Sequence, residues 1–453
     1  MRIESIQLKH TLHFSDIQLK FDQPELPITL ILGQQSSGKT TLVRFCYQAL
    51  TWFAARYKDS RTAGAVILDH DIMHKRLQSK IDIQVRFPKE IGQLPESSHK
   101  IEKDTQLCSW QLYKTLNSRG VGLSKVESLE LEAMVACYQQ AQQQDELVGL
   151  PLIAYYPAER FVNEINLLSK NNPAVLQAAY AYDLTPIPFT TFTRFFEWFR
   201  EINDIENAQT SSMLQQLLQQ HHANEEFFFA QKLAQSYAQM SAPALKALQD
   251  ALHSIFPEVQ RLYLDYHPKL QLMVHYQDQQ ICFQQLSNSL RNWIALIGDI
   301  VRRLCLLNPN SLYPCQEGEG ILMIDVVDHQ LDQDMTSVIL SRLHQAFPRL
   351  QIIATGTSEA LLENAEGMQC LRLAHRQLYP IQSQHAELNR LYSELGVDPE
   401  VSLHDPAQSE SLAIDPVDHC VQQVLQLSNE QQQQVLQRLQ EGDVHLPQHI
   451  QSE

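Results

Sequence analysis

The sequence predicts an α/β protein whose central strands are buried on both faces. Residues 28–32 (ITLIL) are apolar almost throughout, and a glycine-containing turn and a helical pattern over residues 41–56 follow them. Two further apolar runs, residues 320–325 and 350–355, are separated by a helical pattern over residues 336–346. Short continuous apolar runs that alternate with helices are typical of strands covered on both sides.

The remaining elements divide the chain into four predicted parts. We expect the first part of an α/β head in residues 1–164, an inserted helical lobe in 165–262, the second part of the head in 263–379, and a polar tail in 380–453. The glutamine-rich stretch 430–440 is either an amphipathic helix or a solvated end. Other predicted elements are strands in residues 1–32, 65–68, 81–87 and 152–156, helices over 128–144 and 289–307, and a hairpin over 270–283 that turns at 277–279.

Composition limits the class of protein. The chain has 453 residues, a net charge of −17 and eight scattered cysteines without CxxC spacing, so we expect neither a disulfide scaffold nor a zinc finger. No run of about 18 apolar residues and no signal-peptide pattern is present, so we expect no membrane span and a cytoplasmic location. The acidic charge argues against a bulk electrostatic hold on nucleic acid, although a local basic face near Arg291, Arg302 and Arg303 stays open.

Residues 33–40 (GQQSSGKT) match the phosphate-loop pattern GxxxxGK[ST]. In such a loop the backbone N–H groups cradle phosphates, the lysine reaches the β- and γ-phosphates, and the final hydroxyl ligates Mg²⁺. The buried strand before the loop and the helix after it supply the required context. The predicted nucleotide-binding residues are Gly33, Gln34, Ser36, Ser37, Gly38, Lys39, Thr40 and Thr41.

The apolar run 320–325 ends in Asp325. In phosphate-loop proteins a carboxylate at the end of such a strand helps to hold Mg²⁺. Asp325, together with Thr40, is therefore the predicted magnesium site.

Several spaced segments carry a resemblance to a known family. They are residues 286–291 (LSNSLR), 295–304 (ALIGDIVRRL) with Asn308 and Pro309, 152–160 (LIAYYPAER), 181–183 and 195–200. With the phosphate loop, this set resembles bacterial ABC-type AAA ATPases of the RecF/SMC-like kind over residues 1–375. It is similar to the ATPase subunits of Septu-type and retron-linked anti-phage defence systems.

The resemblance implies an ABC head that works in pairs. Two copies would sandwich ATP between the phosphate loop of one and the signature segment of the other. Lys39, Thr40 and Asp325 would hold ATP and Mg²⁺ in their own chain. The implied signature residues that face the nucleotide of the other copy are Ser287, which lies toward its γ-phosphate, Asn288 and Ser289.

Four positions depart from the family pattern. Val326 stands where a Glu usually polarises the attacking water, and Thr357 stands where a switch histidine is expected. Ser289 replaces the signature glycine, and Leu290 replaces the acidic or amide residue after it. A valine cannot accept a proton, and general-base catalysis often contributes about 10²–10⁴-fold. We therefore predict a head that binds ATP and hydrolyses it poorly.

A substitute carboxylate is the alternative. Asp328, the retained loop aspartate, and Asp332 and Asp334 follow Asp325, while Glu317 and Glu319 precede the strand. If one of them activates water, the chain hydrolyses ATP despite Val326.

Three functions fit these motifs. The preferred one is an ATP-binding regulatory subunit that assembles with its own copies and controls an effector, such as a nuclease, without needing turnover. The second is an active SMC/RecF-like ATPase that acts on DNA in repair. The third is a degenerate head that pairs with a complete, separately encoded ATPase.

Other patterns do not predict sites. Asp69, His70, Asp71 and His74 have metal-like spacing but no separate ligand group beside them, so we expect a solvated loop. The aromatic cluster Phe195, Phe196, Trp198 and Phe199 has helical spacing and is predicted to lie in the core. The sequence contains no HExxH motif and no nucleophile elbow, and we expect no nuclease centre in this chain.

Overall fold

The computed structural model describes residues 1–22, 25–95, 104–117, 122–162, 176–220 and 243–381. The predicted tail beyond residue 381 and the centre of the predicted lobe lie outside these ranges. The strands are β1 (Arg2–Thr11), β2 (Phe14–Lys20), β3 (Ile28–Leu32), β4 (Gln78–Arg86), β5 (Leu107–Leu116), β6 (Gly122–Glu127), β7 (Leu152–Tyr156), β8 (Glu159–Arg160), β9 (Phe189–Thr190), β10 (Val259–Asp265), β11 (Gln271–Tyr276), β12 (Gln279–Cys282), β13 (Gly320–Ile324), β14 (Leu350–Gly356), β15 (Met368–Ala374) and β16 (Gln377–Pro380). The α-helices are α1 (Lys39–Lys58), α2 (Leu129–Gln144), α3 (Thr193–Gln220), α4 (Pro243–Ile255), α5 (Asn288–Leu307), α6 (Pro314–Glu317) and α7 (Gln333–Ala346).

The larger sheet has the strand order β16-β15-β3-β14-β13-β7. All of its strands run parallel except β16, which is antiparallel to β15. Strands β3, β7, β13 and β14 are buried at every position, as their continuous apolar runs predict. The register places Leu32 beside Gly356, and Ile324 beside both Ala354 and Tyr156. The segments that follow these strand ends therefore meet at one edge of the sheet.

A second, antiparallel sheet has the order β2-β1-β4-β5-β6, and α1 contacts strands of both sheets. The indole Nε1 of Trp110 on β5 donates to the Ala49 carbonyl of α1 at 3.1 Å. This burial on both sides explains why α1 is apolar around most of its circumference.

The predicted strand over residues 65–68 does not form. Side chains of α1 bind its backbone instead: Trp52 donates to the Ala65 carbonyl at 2.8 Å, and the Ala65 N–H donates to Thr51 Oγ1 at 2.8 Å. A backbone satisfied by side chains needs no strand partner. The predicted hairpin does form, between β11 and β12, with left-handed φ values of 46° at Gln277 and 62° at Asp278.

The helices from the predicted lobe pack onto the head. Phe195, Phe196, Trp198 and Phe199 on α3 are all buried, which confirms that this cluster is core. Helix α4 contacts α5 and α7, and Arg342 of α7 donates to the Ile255 carbonyl at 2.8 Å. The predicted boundary at 262/263 falls inside β10. The four-part division therefore stays a prediction, with α4 tied to the second part of the head.

Of the three arginines of the possible basic face, Arg302 and Arg303 cannot contribute, because only 1% of Arg302 and 6% of Arg303 is exposed, whereas Arg291 is half-buried. Their Nε atoms donate to the Asp299 carboxylate at 2.8 and 2.7 Å. Tyr156 donates to the same carboxylate at 2.9 Å. Burial alone raises the pKa of Asp299, but the two guanidinium groups outweigh it and hold that pKa well below its usual range. These arginines balance a buried charge and offer none to a ligand.

The predicted solvated loop at residues 69–74 is only partly solvated. Asp71 is buried, pairs with Arg44 Nη2 at 2.9 Å and accepts from the Leu68 N–H at 3.0 Å. Across the described ranges, no group of three His, Cys, Asp or Glu residues is placed to hold a metal ion. None of the described helices is long and apolar enough to cross a bilayer.

Candidate nucleotide-binding site

The phosphate loop connects β3 to the first residue of α1, Lys39. Gly38 precedes the helix with a left-handed φ of 108°, and Ser36 also has a positive φ of 60°. Lys39 is 6% exposed, and its Nζ donates to the carbonyls of Gly33 at 2.6 Å and Gln34 at 2.9 Å. Its own loop thus holds the ammonium group at the amino-terminal end of α1, where backbone N–H groups attract anions.

The two glycines of the motif leave no room for side chains. A Cβ on Gly38 would lie 2.1 Å from His13 Nε2, and one on Gly33 would lie 2.6 Å from the Leu373 carbonyl oxygen. The β1–β2 turn, through His13, and the end of β15, through Leu373, therefore pack closely against the loop and restrict its shape.

Asp325 lies directly after β13 and is fully buried. Its Oδ1 accepts from Thr355 Oγ1 at 2.6 Å. Asp328 lies three residues later, and its Oδ2 accepts from the N–H groups of Thr357 at 2.9 Å and Ser358 at 2.7 Å and from Thr357 Oγ1 at 2.8 Å. Burial lowers the pKa of Lys39, and the Asp325 and Asp328 carboxylates partly oppose this effect. The phosphate loop and both carboxylates therefore share one electrostatic environment.

Four buried polar atoms in this region lack a hydrogen-bond partner among the described residues. They are His13 Nε2, Ser37 Oγ, Asp325 Oδ2 and Asp328 Oδ1. Buried polar atoms are nearly always paired in folded proteins, so these four atoms are candidates for contacts with a polar ligand. Carboxylate and hydroxyl oxygens suit Mg²⁺, and Thr40 is exposed, so Asp325 and Thr40 fit the predicted metal.

A family model described as an AAA domain matches residues 5–260, which is more than half of the chain. The chain belongs to the AAA domain family. It is 26% identical to the Retron Ec83 probable ATPase of Escherichia coli over 396 residues, covering 78% of this chain and 68% of that protein. It is 25% identical to the Retron Vc95 probable ATPase of Vibrio cholerae serotype O1 biovar El Tor over 406 residues, covering 80% and 71%.

The chain is also similar to two solved structures. A Smc head domain derived from Pyrococcus furiosus has a TM-score of 0.45 at 11% identity, covering 87% of this chain and 99% of that one. RecF has a TM-score of 0.38 at 12% identity, covering 84% and 98%. The family and the retron relatives confirm the resemblance given by the motifs, and the sheet order confirms the α/β fold.

In this AAA-family chain, Val326 occupies the position where the resemblance expects Glu. Its φ of 48° is left-handed, which is uncommon for a β-branched residue. The Val326 N–H donates to Thr355 Oγ1 at 2.8 Å, and its carbonyl accepts from Arg160 Nη2 at 2.8 Å. Neighbouring side chains thus hold the backbone of a residue that has no acid–base group.

Arg160 is a site residue that the motifs did not single out. Its Nη1 donates to the Asp325 carbonyl at 2.7 Å, and its guanidinium lies 5.7 Å from the centre of the Trp293 ring. Burial lowers the pKa of Arg160 to about 10, although the Asp325 and Asp328 carboxylates oppose the shift. Arg160 ends the segment YYPAER, which is part of the family resemblance. The sequence does not show that Arg160 contacts Asp325, because the two residues are 165 positions apart.

Two of the five substitute carboxylates are wrongly placed for catalysis. Glu317 ends α6 and Glu319 directly precedes β13, so both lie at the opposite end of this strand from Asp325. At about 3.3 Å per residue, Glu319 lies about 20 Å from Asp325. Asp332 caps α7 by accepting from the Met335 N–H at 2.8 Å, and Asp334 is exposed on the first turn of that helix. Asp328 alone of the five has a described link to the Lys39 environment.

The predicted signature segment lies at the start of α5. Ser287 caps this helix by accepting from the Leu290 N–H at 3.2 Å, and Asn288 is exposed. Ser289 Oγ donates to the Gln330 carbonyl, and Asn292 Nδ2 donates to Gln330 Oε1 at 2.9 Å. The start of α5 is therefore bonded to the loop that carries Asp328 in the same chain. The predicted contact with the nucleotide of another copy stays a prediction.

Proposed function

We propose that this chain is an ATP-binding regulatory subunit that binds Mg²⁺-ATP tightly and hydrolyses it slowly. One observation supports the proposal: Lys39 and Thr40 begin the helix after β3, and Asp325 follows β13 at the same edge of the sheet. The neighbouring Val326 and Thr357 offer no acid–base group. Binding without turnover still drives assembly when ATP has a higher affinity for one assembly state.

Each residue has a distinct part in binding. When ATP binds, the Nζ of Lys39 leaves the Gly33 and Gln34 carbonyls and donates to β- and γ-phosphate oxygens. Mg²⁺, when bound, neutralises phosphate charge, and Thr40 and the free Oδ2 of Asp325 would hold it. Thr357 keeps Asp328 in place with two hydrogen bonds and does not sense the γ-phosphate through a titratable ring.

The setting we propose is a defence complex with a separate effector. Similarity to two retron probable ATPases supports this setting, and a nuclease is the effector class that the resemblance implies. Two copies would associate head to head across ATP, with Ser287, Asn288 and Ser289 toward the nucleotide of the other copy. The burial of Arg302 and Arg303 weakens the case for direct DNA binding by removing two cations from the candidate basic face.

The decisive experiment measures ATP affinity and ATP turnover of the purified protein with Mg²⁺. Lys39→Ala should weaken binding about ten- to a hundredfold, because it removes charge-assisted bonds to phosphate. Lys114→Ala is the matched control, since Lys114 pairs with Asp69 at 2.9 Å on the antiparallel sheet. Tight binding with negligible turnover supports the proposal, and Lys39-dependent turnover at an ordinary ATPase rate contradicts it.

An active ATPase is the second candidate, and Asp328 is the residue that favours it. Its Oδ1 has no partner among the described residues and lies in the same electrostatic environment as Lys39. If turnover is found, Asp328→Asn should abolish it while the affinity for ATP persists. In the third candidate, pairing with a complete ATPase, turnover would require that second protein.

A further inference from the structure

The loop of residues 325–332, here named the carboxylate loop, has a backbone that its own sequence does not favour. Val326 and Gln330 have left-handed φ values of 48° and 62°, and neither is glycine. Residues other than glycine rarely adopt this backbone conformation unless surrounding contacts impose it. The contacts that hold the carboxylate loop therefore decide where Asp325 and Asp328 point.

Three segments hold the carboxylate loop from different sides. Arg160 binds the carbonyls of residues 325 and 326, and the end of β14 binds both carboxylates through residues 355, 357 and 358. The third contact comes from α5, where Ser289 Oγ donates to the Gln330 carbonyl and Asn292 Nδ2 to the Gln330 side chain. This third contact binds one of the two left-handed residues directly.

We propose that Ser289 is a positioning residue for the magnesium side of its own nucleotide site. Its hydroxyl fixes Gln330 and thereby the course of the carboxylate loop back to Asp328 and Asp325. A glycine here has no donor and makes no such bond. The residue at the signature position thus acts within its own chain, whatever it contacts in another copy.

The role has a specific consequence for binding. Lys39 lies on α1 and its Nζ is bound by the Gly33 and Gln34 carbonyls, whereas Asp325 and Asp328 belong to the carboxylate loop. Loosening the Ser289 contact should therefore weaken ATP binding in the presence of Mg²⁺ and leave binding in EDTA nearly unchanged. This inference rests on the proposed nucleotide site, but the contact itself can be tested without any nucleotide.

The test compares Ser289→Ala with Ser337→Ala in the full-length protein. Ser337 is a matched control: it is also half-buried, and its hydroxyl donates to a backbone carbonyl, that of Asp334, at 2.8 Å. Amide hydrogen exchange of residues 326–332 is measured without nucleotide, and ATP affinity is measured in dilute protein with Mg²⁺ and with EDTA. Ser289→Thr, which keeps the hydroxyl, serves as the conservative variant.

We expect Ser289→Ala to speed exchange in the carboxylate loop about three- to tenfold and to weaken Mg²⁺-ATP binding by a similar factor, with Ser289→Thr close to wild type. If Ser289→Ala matches Ser337→Ala in exchange, the contact does not hold the loop and the inference fails. Faster exchange with unaltered Mg²⁺-ATP affinity would overturn the positioning role. If the wild-type chain binds no ATP, the proposed function fails, while the exchange comparison still decides whether Ser289 holds the loop.

Discussion

Val326 follows Asp325 directly and enters the carboxylate loop with a backbone conformation that suits valine poorly. Its N–H and carbonyl groups are bonded to Thr355 and Arg160, so these bonds impose the conformation. The side chain is half-buried and contributes no polar atom. Because the backbone of Val326 is held in place and its side chain has no acid–base group, a substitution here tests whether ATP hydrolysis lacks only a general base.

Val326→Glu should restore a general base and raise ATP turnover about 10²-fold or more over wild type, because the backbone at this position is already fixed by its neighbours. Steady-state turnover with Mg²⁺ measures the effect. Val326→Gln is the matched control, since it has nearly the same shape and cannot take the proton. Equal turnover in the Glu and Gln variants would show that the missing base is not what limits the wild-type chain.

Helix α5 is connected to the nucleotide site at its first turn and to the core further along. Ser289 and Asn292 contact Gln330, and Asp299 joins Arg302, Arg303 and Tyr156 of β7 in a buried cluster. Arg303 Nη1 also donates to the Ala181 carbonyl at 2.7 Å. One helix thus connects the carboxylate loop, the parallel sheet and the segment before α3.

Asp299→Asn should lower the free energy of unfolding by about 3–5 kcal/mol, because it leaves two buried guanidinium groups without their carboxylate. Urea unfolding at pH 7 measures the loss. Asp204→Asn is the control: Asp204 is 41% exposed, lies 3.6 Å from Arg200, and its loss should cost less than about 1 kcal/mol. An equal, small loss in both variants would contradict the structural role of the cluster.

The same cluster predicts a pH dependence. Because the folded-state pKa of Asp299 is lowered, its contribution is present above the unfolded-state pKa of about 3.9 and is lost as the pH falls below it. The difference in unfolding free energy between wild type and Asp299→Asn should be constant from pH 8 to pH 5 and should narrow below about pH 4. A difference that changes around pH 6 to 7 would point to another titrating group.

ATP should change the assembly of this acidic chain. A net charge of −17 opposes close approach of two copies, and bound Mg²⁺-ATP between them would add contacts that the free chains lack. The exposed start of α5, with Ser287 and Asn288, is the surface assigned to that contact.

Mg²⁺-ATP should therefore convert a monomer into a dimer in sedimentation velocity, and Asn288→Ala should lower the dimer fraction. Asn310→Ala is the matched control, since Asn310 lies beyond the far end of α5, about 30 Å away, where its side chain donates to the Glu146 carbonyl at 2.8 Å. An unchanged sedimentation coefficient with saturating ATP would exclude ATP-driven assembly of this chain with itself.

The phosphate-loop pattern, the buried strands and helix α5 could be predicted from the sequence, because each depends on residues that are close together in the chain. Residues 33–40 carry a loop, a helix start and a lysine in one segment, and the strands before Gly33 and Asp325 are continuous apolar runs. Local apolar patterns gave a wrong prediction at residues 65–68, where no strand forms. The side chains of Thr51 and Trp52 bind the backbone of Ala65 instead.

Which charged and polar groups share the site depends on how the elements pack, and the sequence alone does not show this. Glu317 and Glu319 are close to Asp325 in sequence but lie at the other end of β13, because a strand is extended. Arg160 and Ser289 reach the carboxylate loop across 165 and 41 residues. Arg302 and Arg303 bind Asp299 and are shielded from solvent, because α5 packs into the interior of the protein at these positions. Periodicity places a residue on its own element, whereas its partners depend on how the elements pack.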